Sequence, residues 1–160
     1  MRLLPKHKIF VGPKVIRFGL NLWPPYLFAG IHVQSISRDF RCVEVELRSR
    51  FLNSNYVGTH FGGSLYAMID PFFMLMVMKN LDHRYYVWDQ EARIRFVKPG
   101  RQTVFAKLEI HQDEIDDIIT QCASGEKYIK SFFCHSYSKN GEIVCDIEKK
   151  VYIRLKEKYR

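Results

Sequence analysis

The sequence predicts an α+β fold in which a curved antiparallel sheet wraps around one buried helix. The segment from about Gly62 to Asn80 is apolar around nearly its whole circumference, and such a helix must be covered by other structure. Six flanking segments are strand-like, several of them alternating apolar and polar residues, so each can supply one apolar face. The 160 residues, 47% of them hydrophobic, fit one domain with one core. We therefore predict a single domain over 1–160, with a helical extension over 1–28.

Before the buried helix, the chain predicts one helix and two strands. Apolar residues recur at helical spacing between Pro13 and Leu27, and Pro24-Pro25 is expected to stop that segment. Gly30 to Ile36 is typical of a strand. From Val43 to Leu47, apolar residues alternate with glutamates, which indicates a half-buried strand.

After the buried helix, the pattern predicts four strands and one short helix. The strands are expected around 91–96, 103–110, 128–138 and 143–155, and the helix over 113–122. Pro99-Gly100 is a turn signal between the first two of these strands, and Asn140-Gly141 is a hairpin-turn signal between the last two. This order of elements is typical of the hotdog fold. Its edge strands usually pair across a two-fold axis, so we expect a homo-oligomer.

A glycine-rich loop and one carboxylate mark the buried helix. Gly62-Gly63 opens it, and Asp70 lies within the apolar segment, just before Pro71, which should bend the helix. Backbone N–H groups at a helix start suit a developing oxyanion. A lone acid in an apolar segment is costly unless it has a partner or a chemical role.

These residues resemble a known family. The stretch 55–70, with an Asn, a Gly-Gly pair and an acid eight residues after the first Gly, resembles the motif of hotdog-fold acyl-CoA thioesterases of the phenylacetate-pathway type. The segments Asn-Leu-Trp-Pro-Pro-Tyr-Leu (21–27) and Phe-Gly-Gly-Ser-Leu-Tyr (61–66) are similar to a less characterised thioesterase branch of this fold. The resemblance implies hydrolysis of an acyl-CoA thioester, with coenzyme A as part of the substrate and no separate cofactor.

The resemblance also implies roles for single residues. The Gly62 amide would donate to the oxyanion, Asp70 would act as base or nucleophile, and Asn55 would orient the water or the acid. We expect the substrate to contact four more residues, namely Gly63, His60, Phe61 and Tyr66. Many relatives carry His directly before the glycines, whereas here Phe61 holds that place and His60 lies one residue earlier. The family's histidine role is therefore not transferred to His60.

Helix geometry adds a constraint on this assignment. Eight helical steps separate Gly62 from Asp70, or about 12 Å along the axis, so one carbonyl cannot touch both groups of one chain. Two antiparallel helices in a dimer, or a dimer of dimers, would bring the groups of different chains together. Four basic residues are candidates for the cofactor phosphates by position alone, namely Arg93, Arg95, Lys98 and Arg101.

Other interpretations remain open. Asp70 could be structural, either capping the neighbouring helix or pairing with a buried base such as His60, and the glycines could simply allow close packing. The protein could bind acyl-CoA or a related lipid thioester without hydrolysing it. The net charge of +8 also admits a nucleic acid or an anionic surface. However, no RNA-recognition signature, zinc-finger spacing or continuous basic helix is present, so we expect no nucleic-acid partner.

Cysteine and histidine usage, together with the N-terminal sequence, bears on location and cofactors. The four cysteines form no C-x-x-C pair and the six histidines show no metal-ligand spacing, which predicts a reducing, cytoplasmic setting and no metal. Lys6, His7 and Lys8 interrupt any apolar run at the N-terminus, and no apolar stretch is long enough to cross a bilayer. We therefore expect a protein without membrane insertion.

Overall fold

The computed structural model describes residues 11–50 and 53–159 and has the predicted architecture. Six antiparallel strands form one curved sheet around the central helical segment, which is the hotdog fold. The helices are α1 (Pro13–Leu22), α2 (Pro24–Ala29), α3 (Gly62–Ala67), α4 (Phe72–Asn80) and α5 (Gln112–Gln121). The strands are β1 (Ile31–Ile36), β2 (Cys42–Leu47), β3 (Tyr85–Phe96), β4 (Val104–Glu109), β5 (Tyr128–Ser138) and β6 (Ile143–Leu155). The terminal basic residues Arg2, Lys6, Lys8 and Arg160 lie outside the described residues.

The strands follow the order β1-β2-β4-β5-β6-β3. Along β6, alternate residues from Cys145 to Leu155 are buried and face the helices. The aromatic rings of Phe73 in α4 and Phe132 in β5 stack with their centroids 5.0 Å apart. The core therefore lies between the concave face of the sheet and α4, as the apolar helix predicted.

The buried helix is interrupted, and this corrects the prediction of one bent helix over 62–80. α3 ends at Ala67, a turn follows, and α4 begins at Phe72. Pro71 has no N–H group to donate to the carbonyl of Ala67, and that carbonyl instead accepts a hydrogen bond from the Tyr26 hydroxyl at 3.0 Å. Asp70 therefore lies in the turn between two helices rather than inside one.

The N-terminal helices also differ from the prediction. Pro24-Pro25 does not end the helical region; it begins α2, because proline is well suited to the first turn of a helix. α1 lies along β1, where the Asn21 side chain donates to the carbonyl of Val33 at 3.1 Å and accepts from its N–H at 2.7 Å. The edge of β1 is thus partly satisfied by a side chain that imitates a neighbouring strand.

β3 forms the opposite edge of the sheet. It is longer than the predicted 91–96, and it bonds only to β6 among the strands of 11–50 and 53–159. The register shifts between Asp89 and Glu91, which marks a bulge. Most of the strand is exposed on both faces. Its first residues include Tyr85, Tyr86 and Trp88, but they follow one another without apolar–polar alternation, which is the signal on which the sequence prediction relied.

Candidate active site

Asp70 is the centre of a compact polar cluster that the fold builds between the turn and the sheet. Its Oδ1 accepts hydrogen bonds from the Tyr66 hydroxyl at 2.5 Å and from Lys149 Nζ at 2.6 Å. Lys149 Nζ also donates to the Tyr66 hydroxyl at 2.8 Å. The Asp70 side chain remains 47% exposed, and its Oδ2 accepts no hydrogen bond from any described residue. One oxygen is held and the other is open to water.

Lys149 is the residue that organises this cluster, and the sequence analysis missed it. It occupies an inward-facing position of β6, and its side chain is only 2% exposed. Besides Asp70, it pairs with Asp89 Oδ2 of β3 at 3.1 Å. Burial alone would lower the pKa of the Lys149 ammonium, but its hydrogen bonds to the two carboxylates and the tyrosine hydroxyl outweigh burial and raise that pKa.

The neighbouring groups respond to the same environment. Burial raises the pKa of the Asp89 carboxyl, against the opposing effect of Lys149. Burial also raises the pKa of the Tyr66 hydroxyl, and its hydrogen bond to Asp70 adds to that effect. Tyr66 therefore stays a neutral donor at physiological pH. It fixes the position of Asp70 together with Lys149.

The predicted structural pairing of Asp70 with His60 is not found. His60 is buried in the loop before α3, where its Nε2 lies 2.8 Å from the carbonyl oxygen of Gln102. Its Nδ1 has no hydrogen-bond partner among the described residues. The base that pairs with Asp70 is Lys149 instead, because the strand β6 passes directly beneath the turn.

Asn55 organises the loop that leads into α3. Its side chain donates to Thr59 Oγ1 at 2.8 Å, while its Oδ1 accepts from the N–H groups of Val57 and Thr59. These bonds form a closed Asx-type turn. Within one protomer, all the hydrogen bonds of the Asn55 side chain are made inside this loop, to residues 57–60.

The Gly-Gly pair presents two unpaired N–H groups. No described residue accepts a hydrogen bond from the N–H of Gly62 or of Gly63. A Cβ atom at Gly62 would lie 3.0 Å from the ring of Phe96, so glycine permits the close approach of β3 to the helix start. Because α3 has only six residues, its dipole is small. An anion at this helix start would therefore be stabilised mainly by hydrogen bonds from the two free N–H groups.

A cavity of about 410 Å³ opens beside Gly62. Leu65, Phe96 and Val57 contribute apolar surface, and Lys98 and Arg101 contribute positive charge. His60 also lines the cavity, but Asp70 does not. Within one protomer, the candidate oxyanion donor and the candidate base therefore face different spaces.

The four basic candidates separate into two groups. Lys98 and Arg101 lie at the cavity beside Gly62, although Lys98 Nζ is already paired with Glu142 Oε1 at 2.5 Å. Arg93 and Arg95 instead line a different cavity of about 330 Å³ on the outer face of the sheet. Arg95 forms an ion pair there with Asp146. Arg93 and Arg95 therefore lie away from the start of α3. Among the described residues, no three His, Cys, Asp or Glu side chains gather as a metal-binding group.

The fold defines a class, the proteins of the hotdog fold. The chain belongs to the family described as Domain of unknown function (DUF4442), whose model matches residues 13–153. No curated protein matches the chain by sequence comparison.

Solved structures share the fold at low sequence identity. A protein of unknown function from Pseudomonas aeruginosa, described as a probable thioesterase, has a TM-score of 0.79 and 16% identity over 89% of this chain and 95% of that chain. The PaaI protein of the phenylacetic acid degradation operon of E. coli has a TM-score of 0.58 and 16% identity, with coverages of 82% and 84%. A hypothetical thioesterase from Streptococcus pneumoniae, solved with coenzyme A, has a TM-score of 0.57 and 17% identity, with coverages of 81% and 89%. The predicted resemblance to hotdog thioesterases is confirmed at the level of the fold.

Proposed function

We propose that the protein hydrolyses acyl-CoA thioesters at a site that two copies complete. One observation supports this most strongly: Asp70 Oδ1 is held by Lys149 and Tyr66, while Oδ2 is free of described partners and the side chain is half exposed. A carboxylate that is fixed in position yet open to water suits a general base or a nucleophile. The thioesterases among its structural neighbours agree with that chemistry.

The chemistry needs two protein groups at the thioester carbonyl. Asp70 either takes a proton from a water that attacks the carbonyl carbon or attacks that carbon itself through Oδ2. The carbonyl oxygen then carries negative charge, and the Gly62 N–H donates to it, with Gly63 as a second donor. Collapse of this intermediate breaks the carbon–sulfur bond and releases coenzyme A as its thiolate. If water attacked, the proton held by Asp70 passes to the thiolate and the free acid is the product. If Asp70 attacked, a water hydrolyses the acyl–Asp70 anhydride, which restores the carboxylate, releases the acid and supplies the proton for the thiolate.

A second copy supplies the missing half of this arrangement. The cavity beside Gly62 does not include Asp70, and eight residues separate the two along the chain. β3 is an uncovered edge beside both groups, since Phe96 contacts the Gly62 position and Asp89 pairs with Lys149. Pairing of two β3 edges across a two-fold axis would place Gly62 of one protomer near Asp70 of its partner.

The cavity beside Gly62 suits the substrate proposed. Its apolar lining accepts an acyl or pantetheine chain, while Arg101 and Lys98 offer positive charge to phosphates. The fold neighbour from Streptococcus pneumoniae contains coenzyme A. We expect the substrate to be an acyl-CoA for these reasons, with His60, Phe61, Gly63 and Tyr66 around it.

A second candidate function is binding of an acyl-CoA or lipid thioester without turnover. It is favoured by the ion pair itself, because Lys149 engages both Asp70 and Asp89 as a structural pair would. Phe61 at the usual histidine position favours it as well. The two candidates share a ligand and differ only in whether Asp70 does chemistry.

A panel of acyl-CoA thioesters distinguishes them. Wild type should hydrolyse at least one member, and Asp70→Asn should lower kcat by about 100-fold or more, the usual contribution of a general base. Asp82→Asn is the matched control, because the side chain of this exposed acid pairs with Arg84 alone among the residues that the structure describes, and it should leave kcat unchanged. Saturable binding without turnover would establish the second candidate, and turnover unaffected by Asp70→Asn would remove Asp70 from the reaction.

A further inference from the structure

α1 and α2 carry an apolar surface that the fold does not cover. One side of α1 packs on the core through Leu20 and bonds to β1 through Arg17 and Asn21. The opposite side is exposed, although it is the more apolar. We define the α1–α2 patch as six exposed apolar residues, namely Val15, Phe18, Leu22, Trp23, Leu27 and Phe28.

The exposure of this patch is too large to be incidental. Phe18 is 66% exposed and Phe28 is 80% exposed. Val15, Phe18 and Leu22 follow one another at spacings of three and four, so they form one stripe on the helix. Single exposed apolar residues need no explanation, whereas a contiguous aromatic patch usually marks a binding surface.

The charge around the patch indicates what covers it. Residues 1–38 contain six Lys and Arg and no Asp or Glu, so this quarter of the chain supplies +6 of the net +8. Lys14 is exposed on α1 itself and Arg17 lies on the same helix. Exposed aromatic and leucine side chains combined with basic residues are the features of helices that lie in the surface of an anionic bilayer.

The position of the patch separates it from the proposed dimer seam. α1 lies along β1, and β1 and β3 are the two opposite edges of the six-stranded sheet. Five strand spacings of ~4.8 Å separate these edges by roughly 24 Å along the curved sheet. Pairing through β3 therefore leaves the strand that carries α1 outside the seam.

We propose that the α1–α2 patch binds an anionic lipid surface. The aromatic and leucine side chains enter the interfacial layer, and the basic residues of α1, Lys14 and Arg17, lie against the head groups. Binding is peripheral, because no helix of the described residues is long and apolar enough to cross a membrane. The inference does not depend on the proposed hydrolysis, since lipid binding is measured without substrate.

Vesicle flotation with the full chain tests this directly. We expect the protein to float with vesicles of phosphatidylcholine and phosphatidylglycerol, to stay behind with phosphatidylcholine alone, and to be released by added salt. Trp23 and Trp88 are the two tryptophans of the chain. In a Trp88→Phe background, Trp23 emission should therefore shift to the blue when the anionic vesicles are added.

Matched variants assign the effect to the patch. The double substitution Phe18→Ser with Phe28→Ser should weaken vesicle partitioning about tenfold or more, because the apolar surface of both rings is no longer available to enter the bilayer. Phe133→Ser, at an equally exposed position on the outer face of β5, should leave partitioning unchanged. Lys14→Gln should weaken it about fivefold, and Lys139→Gln, in the β5–β6 hairpin, should not.

Three results would overturn the proposal. The first is no flotation with anionic vesicles. The second is flotation that the double substitution leaves intact. The third is a soluble oligomer that the double substitution dissociates in sedimentation velocity, which would assign the patch to contacts between copies of the chain.

Discussion

At the scale of single residues, Lys149 determines what the candidate site can do. It is a buried cation whose two carboxylate partners come from the α3–α4 turn and from the edge strand β3. Removing one member of such a group leaves the other charges without compensation in a partly dry environment. Lys149 is therefore a positioning residue for Asp70 as well as a contributor to stability.

We predict that Lys149→Met lowers the free energy of unfolding by about 1.5 to 3 kcal/mol, the usual contribution of hydrogen bonds to charged groups, because the Asp70 carboxylate left behind keeps its access to water. Denaturant unfolding measures it. Lys150→Met is the control: Lys150 pairs with Glu91 on the more exposed outer face, where an ion pair contributes about 0 to 1 kcal/mol. Equal losses in the two variants would show that burial of Lys149 has no energetic consequence.

The raised pKa of Lys149 gives stability a pH dependence of defined sign. The folded chain holds this proton more tightly than the unfolded chain, whose lysine titrates near the ordinary value of 10.5. The stabilisation is thus complete below that pH and declines as pH rises from there toward the folded-state pKa. We expect wild type to lose more stability than Lys149→Met across this alkaline range in parallel denaturant titrations. Parallel curves would contradict the linkage.

The sequence identified Asp70 and the Gly-Gly pair but not Lys149. The signal was present, because Lys149 falls on the inward phase of β6 between Ile147 and Val151. A lysine at such a position requires an acid partner. The identity of that partner could not be predicted, because 79 residues separate Lys149 from Asp70 and only the fold brings them together.

At the scale of secondary structure elements, the interruption at Pro71 is the feature that places Asp70 at the surface. A continuous helix would carry Asp70 on its own cylinder among apolar neighbours. The turn instead places the Asp70 carboxylate at the surface, where its side chain is 47% exposed to solvent. The free carbonyl of Ala67 is compensated by Tyr26, so α2 supports the turn from outside.

We predict that Tyr26→Phe costs about 1 to 2 kcal/mol of unfolding free energy, because the Ala67 carbonyl loses its donor. In a Pro71→Ala background the cost should be smaller, since the N–H group that this substitution introduces can replace the lost hydroxyl. A double-mutant cycle by chemical denaturation measures this coupling. Additive effects would mean that the two groups do not serve the same carbonyl.

Element positions were well predicted wherever the chain alternates or repeats apolar residues. The ranges 128–138 and 143–155 are confirmed residue for residue. The wrong predictions concern the helix boundaries at two prolines and the start of the edge strand β3. Pro24 begins a helix rather than ending one. Pro71 interrupts a helix whose freed carbonyl, at Ala67, finds its donor in Tyr26, far away along the chain. β3 begins at Tyr85, well before the predicted start, because its first residues are mostly exposed and show no buried alternation.

At the scale of the whole molecule, the all-apolar helix was enough to predict the wrapped sheet. The sequence also led to the expectation of an assembly, from the separation of Gly62 and Asp70. The fold supports that expectation with an uncovered β3 edge, but the geometry of a second copy depends on surface shape that no residue pattern encodes.

We predict that mixing two inactive variants restores activity. Gly62→Pro removes the proposed donor, and Phe61 already has the extended backbone that a following proline requires. The ring of Phe96, which is 54% exposed, must move because a Cβ at position 62 would lie 3.0 Å from it. A heterodimer with Asp70→Asn contains one intact site, so subunit exchange at equal amounts should recover about a quarter of wild-type turnover. Each variant alone supplies the baseline. No recovery after proven exchange would place both groups in one chain.

The side chain of Asn21 affects how copies of the chain can associate through the edges of the sheet. A sheet with two open margins adds copies at either end and grows into a fibril. Here the Asn21 amide already pairs with both backbone groups of Val33 on β1, so that margin offers fewer free backbone groups to another copy than the β3 margin does. Asn21 thereby favours association through β3 over growth at both margins.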